Sequence, residues 1–348
     1  LKVAYSLKGF EALLLDYVDA LFIFDEIHAY EPKRLALIIE LMRWLRERYR
    51  ARFFVMTATL PPMLRARLID ALEPTFIEAT DAEFDRSRRH VVTILDGRLE
   101  DVIVDRVRAD REAGRSVLIC LNRVADAQRV YRHLQTTFAL SADEDIVLLH
   151  GRFNGRDRSR KEEVLLRRAG VGRDDRRPFV CVATQVVEVS LNVDFDTLYT
   201  DPEPLEALLQ RFGRVNRGRK PGIPLLPVHV FSLPTAGEGR DPYLPYQREL
   251  VERSLIILRD FCADRPIDEA QVTAMLDAIY TGDILTGWEE EYAKSARTFT
   301  RDILQAIRPF ESGEAIRFYE LFDGIEVLPF DLLDDYYAAR ETQGYLEA

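Results

Sequence analysis

Residues 21–30 read LFIFDEIHAY, an apolar run that stops abruptly at two adjacent carboxylates, Asp25 and Glu26. Leu21, Phe22, Ile23 and Phe24 predict a strand buried on both faces, as in a parallel sheet. Charges at its carboxyl end would sit in the crevice where open α/β sheets bind ligands. The same residues also fit an ordinary strand followed by an acidic helix N-cap. The neighbours decide between the two.

After this strand Pro32 opens a helix predicted to run to about Tyr49, with Leu35, Ile38, Met42, Leu45 and Tyr49 on one face. RFFVMTATLPP at 52–62 is a second buried strand that ends in small hydroxyl residues and a Pro-Pro stop. A charged stretch over 73–89 reads as a linker. SVLICLNRVADAQRVYRHL at 116–134 is strand, turn and helix. DIVLLHGRF at 145–153 and FVCVATQVVEVS at 179–190 are further strands, with the helix-like RDRSRKEEVLLRRA between them. Repeated βα units predict a parallel sheet with right-handed crossovers. From 221 onward the proline-rich PGIPLLPVHVFSLP and several helical segments predict a small helical region.

The 348 residues are 47% hydrophobic and 31% charged, enough apolar material for two domains and a smaller third. No apolar run has the length of a membrane span. Cys120, Cys181 and Cys262 lie far apart, two of them in apolar strands, which predicts buried thiols in a reducing cytoplasm and neither a zinc site nor a disulfide framework. The net charge of −11 disfavours nucleic-acid binding until it is localised. Residues 281–348 hold fifteen acidic and six basic side chains, whereas 145–179 hold ten basic and six acidic ones. That second, locally basic segment can meet phosphates, although solvated helix faces explain many of its arginines equally well.

The strand ends form a set. Asp25-Glu26 closes one strand, Thr57-Ala58-Thr59 the next, Thr184-Gln185 a later one, and QRFGRVNR at 210–217 follows. Phosphoryl transfer uses such parts: a carboxylate for Mg²⁺, another to orient water, and arginines against charge developing on the γ-phosphate. The spacing of three predicts that Arg211, Arg214 and Arg217 share one side of a helical or near-helical segment.

In this order the motifs resemble those of superfamily 2 helicases. DEIH looks like motif II, TAT like motif III, ATQVVEVSLNVDFD like motif V and QRFGRVNR like motif VI. DEIHAYEP, TATLP, HGRFNGRDR, TQVVEVSL and LLQRFGRVNR are most similar to the CRISPR-associated helicase–nuclease of type I systems. The resemblance covers roughly Phe22 to Arg219. It implies two RecA-like lobes: part of the first over 1–80, the second over 81–235, and an acidic helical region over 236–348.

It also implies roles. Asp25 would hold the Mg²⁺ of ATP and Glu26 would activate water. Thr57 and Thr59 would couple hydrolysis to lobe movement. Gln210 and Arg211 would lie near the nucleotide, and Arg214 and Arg217 would act as arginine fingers. Thr184, Gln185, the Asn122-Arg123 turn and Arg152 would face single-stranded DNA. Asn192 stands where many superfamily 2 proteins carry a ribose-contacting aspartate, which weakens that contact. His28 reads either as a coupling residue or as a polar residue of a first helical turn. His150 reads either as a DNA contact or as loop packing, and Trp44 and Trp288 as packing.

No G-x-x-x-x-G-K-[ST] loop is present, and about twenty residues precede the Asp25 strand. The expectation is therefore the carboxyl-terminal or split-off part of a larger protein, inactive alone, whose phosphate loop and His-Asp nuclease lie upstream. Its implied partners are ATP, Mg²⁺, the displaced DNA strand of an R-loop and the RNA-guided surveillance complex. A superfamily 2 translocase outside CRISPR, or a fragment that binds without hydrolysing ATP, are the alternatives.

Overall fold

The computed structural model describes residues 3–7, 9–27, 30–57, 59–80, 82–84, 88–172, 177–188, 191–218, 224–236, 241–262, 265–307, 332–333 and 336–337. Contacts divide the chain into two compact units. One comprises Leu1–Phe24, Lys33–Phe54 and Tyr292–Ala348, and the other Asp25–Pro32 and Val55–Glu291. The expected boundaries at 80 and 235 are not where packing divides the described residues.

The expected first strand is present as β1 (Leu21–Asp25), paired with β2 (Arg52–Met56) in a two-stranded sheet. Helix α1 (Phe10–Asp16) precedes it, and α2 spans Pro32–Tyr49 as its apolar spacing predicts. Burial of β1 on both faces is not found. Phe22 stacks on Phe53 with ring centroids 5.4 Å apart, and Tyr17 meets Phe22 edge-on. The alternate residues face solvent, Leu21 at 58% and Ile23 at 64% exposure, and Phe54 and Met56 of β2 are exposed too. The reason is strand number: two strands carry one covering layer, and a second layer would be needed for the other face. In the same unit Tyr5 and Ala4 pack with Leu37 of α2 and with Phe299 and Leu304.

Helix α3 (Pro62–Leu72) leads into the second unit's seven-stranded sheet. Its strands are β3 (His90–Arg98), β4 (Val117–Cys120), β5 (Ile146–Leu149), β6 (Val180–Ala183), β7 (Thr197–Thr200), β8 (Leu226–Leu233) and β9 (Arg265–Pro266). Their order is β5-β6-β4-β7-β8-β3-β9, parallel except for the short β9. The crossovers are α4 (Leu99–Glu112), α5 (Val124–Phe138), α6 (Gly155–Ala169) and α7 (Leu205–Phe212).

Period-two alternation sorts the strands' side chains into two cores. Leu118, Cys120, Val147, Leu149, Cys181 and Ala183 pack under α6 and α7. Val117, Ile119, Ile146, Leu148, Val180 and Val182 pack under α4 and α5. Each fully buried Leu or Val adds about 1.5–3 kcal/mol, which is why these four-residue strands hold. The region expected to be a separate helical module is shared out instead. Helices α8 (Arg248–Cys262) and α9 (Val272–Ile279) supply Leu258, Cys262, Met275, Leu276 and Ile279 to the first of these cores. The last helix, α10 (Gly282–Asp302), contributes Phe299 to the cluster around Tyr5. Most of the acidic tail falls on 308–331 and 338–348, outside the described residues.

All three cysteines are free and buried. Among the described residues no helix is long and apolar enough to cross a membrane.

Candidate nucleotide and nucleic-acid site

The parallel register lines up four strand ends. Cys120 pairs with both Ala183 and Thr200, and Leu149 pairs with Ala183. The segments that follow, Asn122-Arg123, His150, Thr184-Gln185 and Asp201, therefore share one carboxyl edge. This is where an open α/β sheet presents ligand-binding groups.

At this edge most of the polar groups are consumed internally. Thr184 is buried, and its N–H donates to the Leu149 carbonyl at 3.1 Å. A 3₁₀ turn, Gln185–Glu188, follows. Gln185 donates through its amide to the Asn122 carbonyl at 3.0 Å. Asn122, expected to face DNA, is buried instead. Its amide donates to the Pro202 carbonyl at 2.9 Å, and its side-chain oxygen accepts from Arg211 at 3.3 Å. Arg123 turns back to Asp126 at 2.5 Å, and that bond raises its pKa above the ordinary arginine value.

His150 resolves towards packing. It is buried, stacks flat on Phe153 with centroids 4.1 Å apart, and its Nδ1 accepts from the Arg152 N–H at 3.3 Å. Burial lowers its pKa. Of the residues expected on the DNA side, Arg152 has an exposed side chain at this edge.

The three arginines of the QRFGRVNR segment do not share a face. Helix α7 ends at Phe212, so only Arg211 is helical. Arg211 is fully buried. Its Nε lies 2.5 Å from Glu203 and 2.8 Å from Glu188, and its Nη1 donates to Thr200 at 2.6 Å. Burial opposes its charge, but Glu203 and Glu188 outweigh burial and hold its pKa above the ordinary value. The same burial pushes both carboxyls upward against the pull of Arg211. In this structure Arg211 is a core clasp whose fork geometry is spent on protein acceptors.

Arg214 is 5% exposed. Its Nε donates to the Val187 carbonyl at 2.8 Å, and its Nη2 donates to the Glu188 carbonyl. Expected as a finger, it is here a latch on the 3₁₀ turn. Arg217 is exposed, and Gln210 is partly buried. Asn192 is exposed in the loop after the turn.

Asp25 and Glu26 are exposed at the end of β1. Glu26 adopts φ +54°, a left-handed conformation costly for a non-glycine residue, with its N–H on the Met56 carbonyl at 3.0 Å. Ile27 is fully buried just beyond and anchors the turn. Thr57 donates its hydroxyl to the Thr59 carbonyl at 2.5 Å, which ties the second strand end. His28 lies outside the described residues.

Reading the sequence missed Glu188, Glu203, Thr200 and Asp201. Asp201 accepts from the Thr235 N–H at 3.0 Å, its hydroxyl at 2.7 Å and the Asn122 N–H at 3.3 Å. Burial raises its pKa to about 6. Nothing in the sequence marked Arg211 as the group that Glu188 and Glu203 enclose.

Residues 113–220 match the family model described as CRISPR-associated nuclease/helicase Cas3, C-terminal. A putative CRISPR-associated nuclease/helicase Cas3 of Methanocaldococcus jannaschii is 27% identical over 270 residues, covering 75% of this chain and 35% of its own length. The fold is similar to the crystal structure of T. fusca Cas3-ADP, with a TM-score of 0.72 and 22% identity over 86% of this chain and 41% of that one. It is also similar to a chain of a CRISPR RNA-guided surveillance complex, pre-nicking, with a TM-score of 0.64 and 21% identity over 87% and 43% of the two chains. The chain spans about a third of the length of the archaeal relative. The family match over residues 113–220, the relatives along the chain and the shared fold together support a carboxyl-terminal, helicase-type fragment of the CRISPR-associated nuclease/helicase Cas3 kind.

Proposed function

We propose that the chain is the motor portion of a type I CRISPR helicase–nuclease, coupling ATP hydrolysis to movement along the displaced DNA strand of an R-loop. One observation carries this reading: two exposed carboxylates on a conformationally costly strand end, in a chain that also displays Arg217 beyond a rigid motif V turn. Asp25 and Glu26 are hard oxygen ligands of the kind Mg²⁺ takes, one or two carboxylates together with substrate phosphates. Asp25 would hold that ion, Glu26 would orient water, and Thr57 and Thr59 would transmit the state of the site. Arg217 would face the γ-phosphate; Arg214 would join it only after leaving the Val187 and Glu188 carbonyls. Binding of ADP by the T. fusca relative supports nucleotide as the ligand.

The phosphate-cradling loop would come from a segment outside this chain. The sequence lacks one, and the uncovered face of Leu21, Ile23, Phe54 and Met56 suits additional covering structure. Likeness to a chain of a surveillance complex supports that complex as the recruiting partner.

The test is DNA-stimulated ATP turnover, measured for this chain alone and for the intact nuclease/helicase. Turnover is expected only in the intact protein, abolished by Asp25→Asn. Turnover by the 348-residue chain alone would refute the need for an outside loop. No turnover by the intact protein would leave a fragment that binds without hydrolysis.

A further inference from the structure

We infer that Asp194 is the positioning residue for Arg217, an inference that rests on the reading of Arg217 as a γ-phosphate partner. The Asp194 carboxylate is buried, and its two oxygens accept from two consecutive backbone amides, Arg217 N–H at 2.9 Å and Gly218 N–H at 3.1 Å. A charged acceptor makes both bonds stronger than neutral ones. The residue before the two amides, Asn216, turns left-handed at φ +51° and anchors itself through its amide to the Arg89 carbonyl at 3.0 Å.

Asp194 is itself fixed from behind. Its N–H donates to the Ala169 carbonyl at 2.7 Å at the end of α6. Phe195 then takes the Arg214 carbonyl at 2.9 Å and returns its own to Asn216 at 3.2 Å. The result is a backbone at Arg217 held by hydrogen bonds to the Asp194-Phe195 segment beneath an exposed side chain. Glycine at 218 leaves room for the same fork, because a Cβ there would stand 3.0 Å from an Asp194 oxygen and crowd it. A long cation that must meet a developing charge within about 1 Å needs such a base, since a misplacement of that size costs about a hundredfold in rate.

The experiment has two readouts. In the 348-residue chain, Asp194→Asn should make the Arg217 and Gly218 amides exchange with solvent at least about tenfold faster, because one oxygen becomes an NH₂ group facing an N–H. In the intact nuclease/helicase, Asp194→Asn should lower kcat for DNA-stimulated ATP hydrolysis about a hundredfold. KM for ATP and affinity for single-stranded DNA should stay within roughly threefold, and Asp194→Asn added to Arg217→Ala should lower kcat by no more than roughly threefold further. A merely structural aspartate would instead give additive losses. Near-normal kcat in Asp194→Asn, with Arg217→Ala inactive, would overturn this inference and leave the reading of Arg217 standing. Near-normal kcat in Arg217→Ala would overturn both. Should Asp194→Asn fail to fold, Gly218→Ala displaces the same carboxylate without changing charge; loss of kcat supports the inference and normal kcat overturns it.

Discussion

Replacing Arg211 by methionine tests whether the first arginine of motif VI serves stability or the nucleotide. The substitution keeps length and apolar stem but removes the guanidinium from between Glu203 and Glu188. Two buried carboxyls then lose their counter-charge, and Thr200 and Asn122 lose a donor. Breaking a buried pair by removing one partner costs about 3–5 kcal/mol. For a unit of this size each kcal/mol moves Tm by about 2–4 °C, so Arg211→Met should melt roughly 6–20 °C lower. Calorimetry or far-ultraviolet circular dichroism on the 348-residue chain reads this directly. Arg211→Lys should fall between, keeping charge but losing the fork to four acceptors. Adding Glu188→Leu and Glu203→Leu to Arg211→Met should recover much of the loss, because an apolar set has no charge to leave stranded. A melting point for Arg211→Met within about 2 °C of the parent would refute the clasp, and would return Arg211 to the nucleotide-contact role its motif implies.

Two further outcomes are expected. His90 is buried, its Nε2 donates to the Val215 carbonyl at 2.6 Å, and burial lowers its pKa to about 4 despite that bond. A depressed base gives stability that is full above about pH 6.5 and lost as pH falls towards about 4, at most about 3 kcal/mol; His90→Gln, which still donates but does not titrate, should flatten urea-unfolding free energies over that window, and an unchanged acid limb would count against it. Arg152, exposed beside His150, should act as a backbone-phosphate contact. Arg152→Gln should then lower the slope of log affinity against log salt by about 1 across all single-stranded sequences tested, and an unchanged slope would remove it from the interface.

Which parts of the fold could be read from the sequence follows from how local each signal was. The apolar runs that became β1, β2, β4, β5 and β6 are continuous and end in small or charged residues, and Pro32 marks the start of α2. Four strands gave no such signal, the two-residue β9 (Arg265–Pro266) among them. β3 carries His90, Thr93 and Asp96 among its apolar residues, and β7 is only Thr197–Thr200, an element whose burial comes from both neighbouring strands. β8 contains Pro227 and lies in the proline-rich stretch expected to be part of the helical region, and proline is disfavoured in a central strand. The structure accommodates it because β7 pairs only from Val228 onward, so the proline sits where β8 has one partner. The β1 expectation failed on one face because periodicity reports that a residue is apolar, not whether a layer covers it.

The site shows the same division between what spacing and what packing determine. Placement at strand ends was legible, since strand ends follow from the apolar runs themselves. Role was not, because Arg211, Arg214 and Arg217 have identical chemistry and equal spacing, and only the helix end at Phe212 separates them. Before that end the backbone is helical and Arg211 points into the second unit's core, where Glu203 and Glu188 await it. One turn beyond it, Arg214 reaches back to carbonyls of the Gln185–Glu188 turn. Only after the left-handed Asn216 does the chain swing a guanidinium outward at Arg217. Two arginines thus pin the Gln185–Glu188 turn, while the third is displayed on the segment that Asp194 holds. The three form an ordered series from core to solvent, and their functions follow from the helix terminus more than from their spacing.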